Sequence, residues 1–253
     1  MTQASDVPVG PDAPARPAGP LLVLAAMPEE AAAITALMAD AEPLAVPLAG
    51  VAAVRGSLGG QDTAVVTTGI GVAASTAAAT WAILSLRPRA AVAAGSCGGL
   101  AADVEVGTLV VGDAFTWSIA DATAFGYAPG QVPGGPERHV ADAAIADLAE
   151  ASARAVDEGA GVRRGLMLAG DAFVTAPLAA PMRERFPDAL SADMETTASA
   201  RTAEALGVPF AALRAVSDLC GPAAGQQFHL ELDEVAQTSA LAVQELAARL
   251  ARG

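Results

Sequence analysis

The chain has 253 residues, 53% of them hydrophobic, and 28 Asp and Glu against 14 Lys and Arg give it a formal net charge of −14 at pH 7. That is ample apolar material for one sizeable core. All 14 basic residues are arginines, which excludes chemistry that needs a lysine, and the absence of any basic block argues against nucleic acid or an anionic membrane as partner.

Residues 1–20 hold five prolines and few large apolar groups, the composition of a disordered leader ahead of a single domain over 21–253. The leader lacks the basic start and long apolar stretch of a signal peptide, and Leu21 to Ala26 is far too short to cross a bilayer. A cytoplasmic protein is therefore expected. With only His139, His229, Cys97 and Cys220 as soft ligands, neither a multi-histidine metal site nor a disulfide framework is expected, and no cofactor is called for.

From Leu21 on, short apolar runs alternate with alanine-rich helical stretches. This is the pattern of an α/β domain, a three-layer sandwich with helices on both faces of a mixed, largely parallel central sheet. Leu21 to Ala26 reads as a buried strand, and Glu29 to Met38 as a helix opened by Pro28. Val51 to Leu58 and Thr63 to Thr67 read as a strand pair joined at Gly59-Gly60. Gly69-Ile70-Gly71 turns into a helix over Ala73 to Leu86, which Pro88 ends. Ala90 to Ala94 is the next strand, followed by a glycine loop, Gly95-Ser96-Cys97-Gly98-Gly99. Gly107 to Phe115 reads as a strand, Val140 to Val156 as a helix, Gly165 to Ala169 as a strand, Thr196 to Leu206 as a helix and Pro209 to Val216 as the last strand. A final helix near Leu230 to Leu250 carries acidic residues at its start and Arg249 and Arg252 at its end, as the helix dipole prefers.

Ligands of open α/β sheets gather at the carboxyl ends of the strands. Four polar groups stand there: Glu29 and Glu30, Ser96, Asp193 to Glu195, and Arg214 with Ser217 and Asp218. The glycine loop matches neither the dinucleotide fingerprint nor the phosphate-loop pattern, and no arginine lies between Leu21 and Val54, so it fits a sugar or a water held through Ser96 better than a phosphate. Asp218 is the candidate acid: burial favours its protonated form, while Arg214 and other donors favour the anion. Cys97 reads as a small buried residue, because no histidine motif accompanies it. His139 and His229 read as structural or surface residues.

Taken in order, Ala26-Met27-Pro28-Glu29-Glu30, Thr68-Gly69-Ile70-Gly71, Gly95-Ser96-Cys97-Gly98-Gly99-Leu100, Thr123-Ala124-Phe125-Gly126-Tyr127, Gly130-Gln131-Val132-Pro133-Gly134, Gly170-Asp171-Ala172-Phe173-Val174, Asp193-Met194-Glu195 and Arg214-Ala215-Val216-Ser217-Asp218 resemble a known family. It is that of the 5′-methylthioadenosine/S-adenosylhomocysteine nucleosidases of the nucleoside phosphorylase superfamily. The resemblance implies a nucleoside phosphorylase-like fold and hydrolysis of the bond between adenine and a 5′-thio-substituted ribose. It implies Asp218 as the acid that protonates adenine at N7 and Glu30 as the carboxylate that activates water, helped by Ser96 and Arg214. Glu195 and Met194 would hold the ribose, Phe173 would stack on the purine, the backbone of Val174 would read its edge, and Ser217 would support Asp218. Phe125 and Pro133 would reach across a homodimer into the partner's site.

Several positions depart from the family pattern. Ser118-Ile119 replaces a polar pair, Val72 replaces a basic residue, Asp193 stands where a longer Glu is common, and the stretch Cys220 to Gly225 looks longer than usual. A futalosine-type hydrolase, whose substrate carries a carboxylated 5′-group, and a purine nucleoside phosphorylase stay open as alternatives, as does a catalytically silent nucleoside-binding domain.

Overall fold

The computed structural model describes residues 19–252, so the leader expected over 1–20 lies outside the described residues except for Gly19 and Pro20. Ten strands form one mixed sheet: β1 (Leu21–Ala25), β2 (Met38–Pro43), β3 (Ala52–Leu58), β4 (Gln61–Thr67), β5 (Ala90–Gly99), β6 (Leu109–Trp117), β7 (His139–Val140), β8 (Val162–Ala169), β9 (Ala189–Asp193) and β10 (Phe210–Asp218). Six helices accompany them: α1 (Pro28–Thr35), α2 (Val72–Leu86), α3 (Ala143–Val156), α4 (Ala176–Arg185), α5 (Thr196–Ala205) and α6 (Ala224–Arg252). The centre, β4-β1-β5-β10, runs parallel. Beyond β10 the order continues β6-β8-β9, and β9 returns to pair with the end of β5.

Side chains alternate across the pleat and so feed two cores. Leu21, Val23 and Ala25 face a cluster with Ile34 of α1, Ile145 of α3 and Val243 and Leu246 of α6. Leu22 and Leu24 face the opposite cluster, with Ala78, Ala79 and Ala82 of α2 and Ala200 and Ala203 of α5. This is the expected three-layer arrangement, and each fully buried Leu, Ile or Val contributes roughly 1.5–3 kcal/mol.

Several elements differ from the expectations, each for a physical reason. The helix expected to reach Met38 ends at Thr35, and Met38 begins β2, an exposed acidic strand with no apolar alternation that is held at the sheet edge by its ladder to β3. The expected glycine loop is strand: β5 runs on to Gly99 because Gly98 and Gly99 pair with Ala192 and Ser191 of β9. Helix α4 has no counterpart among the expected elements; Pro177 and Pro181 hide it, the first at a tolerated N-terminal position and the second inside the helix. The helix expected from Val140 starts at Ala143, where the Asp142 carboxylate accepts the N–H of Ile145, and the two residues His139–Val140 pair instead with β6. Finally, α6 starts at Ala224, ahead of Leu230, through a Gly-Gln-Gln stretch with no apolar periodicity.

Among the described residues no helix is long and apolar enough to cross a membrane.

Candidate active site

The carboxyl ends of β1, β5, β9 and β10 open into one cavity of about 280 Å³. Glu30, Ser96, Met194, Glu195, Arg214, Ser217, Asp218 and Phe173 all line it.

Glu30 enters from α1, whose first helical residue is Pro28. As the third residue of the helix its carboxylate turns back on the helix start, and Oε2 accepts the N–H groups of Ala26 at 3.0 Å and Met27 at 3.1 Å. Oε1 accepts the N–H and the hydroxyl of Ser96, both at 2.8 Å. The side chain is thus buried yet held by four donors, which fixes its orientation. Gly95 makes this seat possible: at φ +126° it presses so closely on Glu30 that a Cβ there would lie 2.3 Å from Oε1.

Behind Glu30 lies Arg214, 1% exposed. Its Nε donates to Thr196 Oγ1 and its Nη1 to the Ser96 carbonyl, both at 2.9 Å. Its Nη2 is 3.5 Å from Glu195 and its Nε 3.8 Å from Asp193, so every guanidinium nitrogen is engaged. Burial works against its charge, but Asp193, Glu195 and Glu30 outweigh it and hold its pKa above the ordinary arginine value. Glu195, at the start of α5, also accepts the N–H of Gly71 at 2.9 Å. Burial, only partly opposed by Arg214, pushes its carboxyl up to about 7. Asp193 spends Oδ1 on the N–H groups of Glu195 and Thr196, both at 2.7 Å, and Oδ2 has no hydrogen-bond partner among the described residues. The short side chain therefore meets the first N–H of α5, and its second oxygen meets Arg214 as an ion pair without a hydrogen bond.

Asp218 ends β10. Ser217 Oγ donates to its Oδ2 at 3.1 Å and the Cys220 N–H to its Oδ1 at 2.9 Å. Burial raises its pKa above the usual aspartate value, against the pull of the Cys220 N–H, Ser217 and the Cys220 thiol. Arg214 makes no bond to it, which corrects the expectation that it would favour the Asp218 anion: the guanidinium pairs with Glu195 and Asp193 instead. The Cys220 thiol, buried beside this carboxylate, is pushed up to about 12, and burial raises Cys97 as well, so both are neutral.

Phe173 and Val174 lie between β8 and α4, and with Gly98, Ala192 and Asp218 they line a smaller compartment behind the cavity. Residues to which the sequence assigns no role in binding complete the walls: Met27, Ile70, Cys97 and Phe228. Phe228, in the first turns of α6, meets Phe173 edge to face with ring centroids 5.7 Å apart. No periodic pattern marks it in Gln-Gln-Phe-His. Ile70 sits between Gly69 and Gly71, both at positive φ, and that pairing of glycines was the available signal. Phe125 and Pro133 are not in this cavity: both are exposed, Phe125 at 83%, on an arm between β6 and β7. Arg185 ties the root of that arm to α4 through Ala120 and Asp121. His139 is buried and paired with Glu204, and His229 is exposed beside Phe228. Among the described residues no cluster of His, Cys, Asp and Glu is arranged to hold a metal ion.

Residues 20–252 match the phosphorylase superfamily. A 5′-methylthioadenosine/S-adenosylhomocysteine nucleosidase from Neisseria meningitidis, solved with methylthio-immucillin-A, is 33% identical; it superposes with a TM-score of 0.86 over 90% of this chain and 98% of that one. The corresponding nucleosidase from Colwellia psychrerythraea, solved with adenine, is 29% identical, with a TM-score of 0.87 over 92% and 96% of the two chains. An Asp-to-Asn variant of the Helicobacter pylori enzyme, holding 5′-methylthioadenosine in its active site, is 26% identical, with a TM-score of 0.82 over 90% and 97%. With the fold, the cavity and these likenesses in agreement, the chain belongs to the phosphorylase superfamily, in the group of its 5′-methylthioadenosine/S-adenosylhomocysteine nucleosidases.

Proposed function

We propose that the chain hydrolyses the N-glycosidic bond of 5′-methylthioadenosine and S-adenosylhomocysteine, releasing adenine and the 5′-thio-ribose. The observation that carries this reading is the convergence of Glu30, Glu195 and Asp218, far apart in sequence, on one cavity. The ligands that its relatives hold agree with it. Asp218 gives its proton to adenine N7 as the bond between C1′ and N9 breaks and its electron pair leaves with the purine. Water adds to C1′ and gives its proton to Glu30, which Ser96 holds in place. Glu195, with Met194 beside it, accepts the ribose hydroxyls and opposes the positive charge that builds on the sugar. Phe173 and Phe228 enclose the purine, the Val174 backbone meets its edge, and Ser217 orients the acid. Both carboxyl groups return to their starting states by proton exchange with solvent.

Charge favours water over phosphate as nucleophile. Four carboxylates line the cavity and its one arginine, Arg214, is fully occupied by Ser96, Thr196, Glu195 and Asp193. A phosphate dianion would meet Glu30 with no free cation among the described lining residues to hold it. The cavity lining includes the apolar Met27 and Ile70 and no free cation among the described residues, which suits a thioether better than the carboxylated 5′-group of a futalosine-type substrate. Adenine release from methylthioadenosine should proceed at the same rate with and without phosphate. A strict phosphate requirement would overturn the water mechanism.

The pH dependence follows from Glu195. Its anion is the useful form, so kcat/KM should fall as pH drops through about 7, and Glu195→Gln should remove that limb along with most of the activity. Stability runs the other way. A carboxyl raised in the folded state favours folding fully below its ordinary value of 4.5, and that contribution fades as pH rises through about 7. Melting curves of wild type and Glu195→Gln between pH 5 and 8 should therefore converge at the acid end; parallel curves would remove Glu195 from this role.

The exposed Phe125 and Pro133 support a homodimer in which each arm lines the partner's 5′-group pocket. A fully active monomer in sedimentation would remove that part of the reading.

A further inference from the structure

One buried hydroxyl outside the cavity is tied to the strands under the site and has no part in the chemistry above. Ser239 lies in α6 and is 1% exposed. A serine inside a helix ordinarily turns its hydroxyl to the carbonyl one turn back, as the neighbouring Thr238 does to Glu234. Ser239 reaches across to the sheet instead. Its Oγ accepts the Gly95 N–H at 3.0 Å and donates to the Leu213 carbonyl at 3.2 Å, joining β5 to β10 where Arg214 lies opposite Gly95.

Gly95 is the residue on which the Glu30 carboxyl packs, and Ser96 supplies two of its four donors. The floor of the Glu30 seat is therefore braced by a hydroxyl on the far helix. We propose that Ser239 is a positioning residue for Glu30, setting where β5 presents Gly95 and Ser96 and hence where the water-activating carboxylate stands; the inference rests on the nucleosidase reading. The bracing helix is the one that carries Phe228, eleven residues earlier and about 16 Å along its axis, so one rigid element closes over the purine and supports the water side.

Removing the hydroxyl takes a partner from the Gly95 N–H and from the Leu213 carbonyl in a buried place, and β5 must shift to recover one. Ser96 moves with it, and Glu30 follows. A misplacement on the order of 1 Å at a catalytic group costs up to about 10² in rate. The purine-side residues Phe173 and Val174 lie on another segment, and Asp218, on β10 five residues beyond Leu213, keeps its own bonds to Ser217 and Cys220.

The test compares wild type, Ser239→Ala and Ser239→Cys, the last keeping a weak acceptor and donor of similar size. On methylthioadenosine, kcat should fall about 10- to 100-fold in Ser239→Ala and less in Ser239→Cys, with KM and the calorimetric affinity for adenine within about twofold of wild type. An unchanged kcat per adenine-binding site would overturn the inference, as would a loss of activity that merely tracks a loss of adenine-binding sites. Should Ser239→Ala fail to fold, Ser239→Cys is judged by the same two readouts. An inactive wild type would instead overturn the nucleosidase reading.

Discussion

Asp218→Asn should lower the rate of adenine release by about 10² to 10⁴ while leaving a folded protein that still binds adenine. The expectation comes from what the substitution keeps and what it removes. The amide oxygen of Asn can still accept the Cys220 N–H that Oδ1 now accepts at 2.9 Å, so the turn into α6 is preserved. What is lost is the group proposed to give its proton to the departing base, whose protonated form burial favours. Bond cleavage would then expel a purine anion with only an amide donor to meet it. Steady-state adenine release and calorimetric adenine binding separate the two effects. Near-normal turnover with intact binding would remove Asp218 from the acid role.

The legibility of this molecule in its sequence follows from which signals are local. The central strands and the helices that flank them were readable because burial on both faces demands continuous apolar runs, as in Leu21 to Ala25 and Phe210 to Val216. β2 was not, because an edge strand of alanine and acidic residues is defined by its partner and not by its own pattern. The conversion of the expected Gly95–Gly99 loop into strand depended on β9, which arrives ninety residues later. Glu30, Glu195 and Asp218 could be singled out because each follows a strand, where the fold places its ligands. Phe228 could not: its position depends on how far α6 extends towards the site, and the Gly-Gln-Gln stretch ahead of it carries no sign of a helix. The sequence marks Arg214 as a site residue but not which carboxylate it meets. Whether its side chain leans towards Asp218 on its own strand or towards Asp193 and Glu195 on the neighbouring segments is decided by packing, and packing sends it to the latter.

That placement makes Arg214→Met the substitution with the largest expected effect on stability. The methionine fills much of the volume, so the change is chiefly one of charge. It leaves Glu30, Asp193 and Glu195 buried with no cation, and takes a donor from the Ser96 carbonyl and from Thr196 Oγ1. Removing one partner from a buried ionic cluster costs about 3–5 kcal/mol, against typical domain stabilities of about 5–15 kcal/mol. The loss should depend on pH with a definite sign. In wild type burial already pushes Glu195 up to about 7 against the pull of Arg214, so without the guanidinium its proton is held more tightly still. Protonation then relieves the repulsion, and the destabilisation should be largest above pH 8 and shrink towards pH 5. Glu195→Gln should raise stability at pH 8 more in the Arg214→Met background than in the wild type, because the charge it deletes there is uncompensated, whereas two independent sites would show the same increment in both. Urea unfolding of the four proteins of this cycle at pH 5 and pH 8 checks it. A loss for Arg214→Met below about 1 kcal/mol, equal at both pH values and additive with Glu195→Gln, would mean that the guanidinium is not what keeps the three carboxylates together.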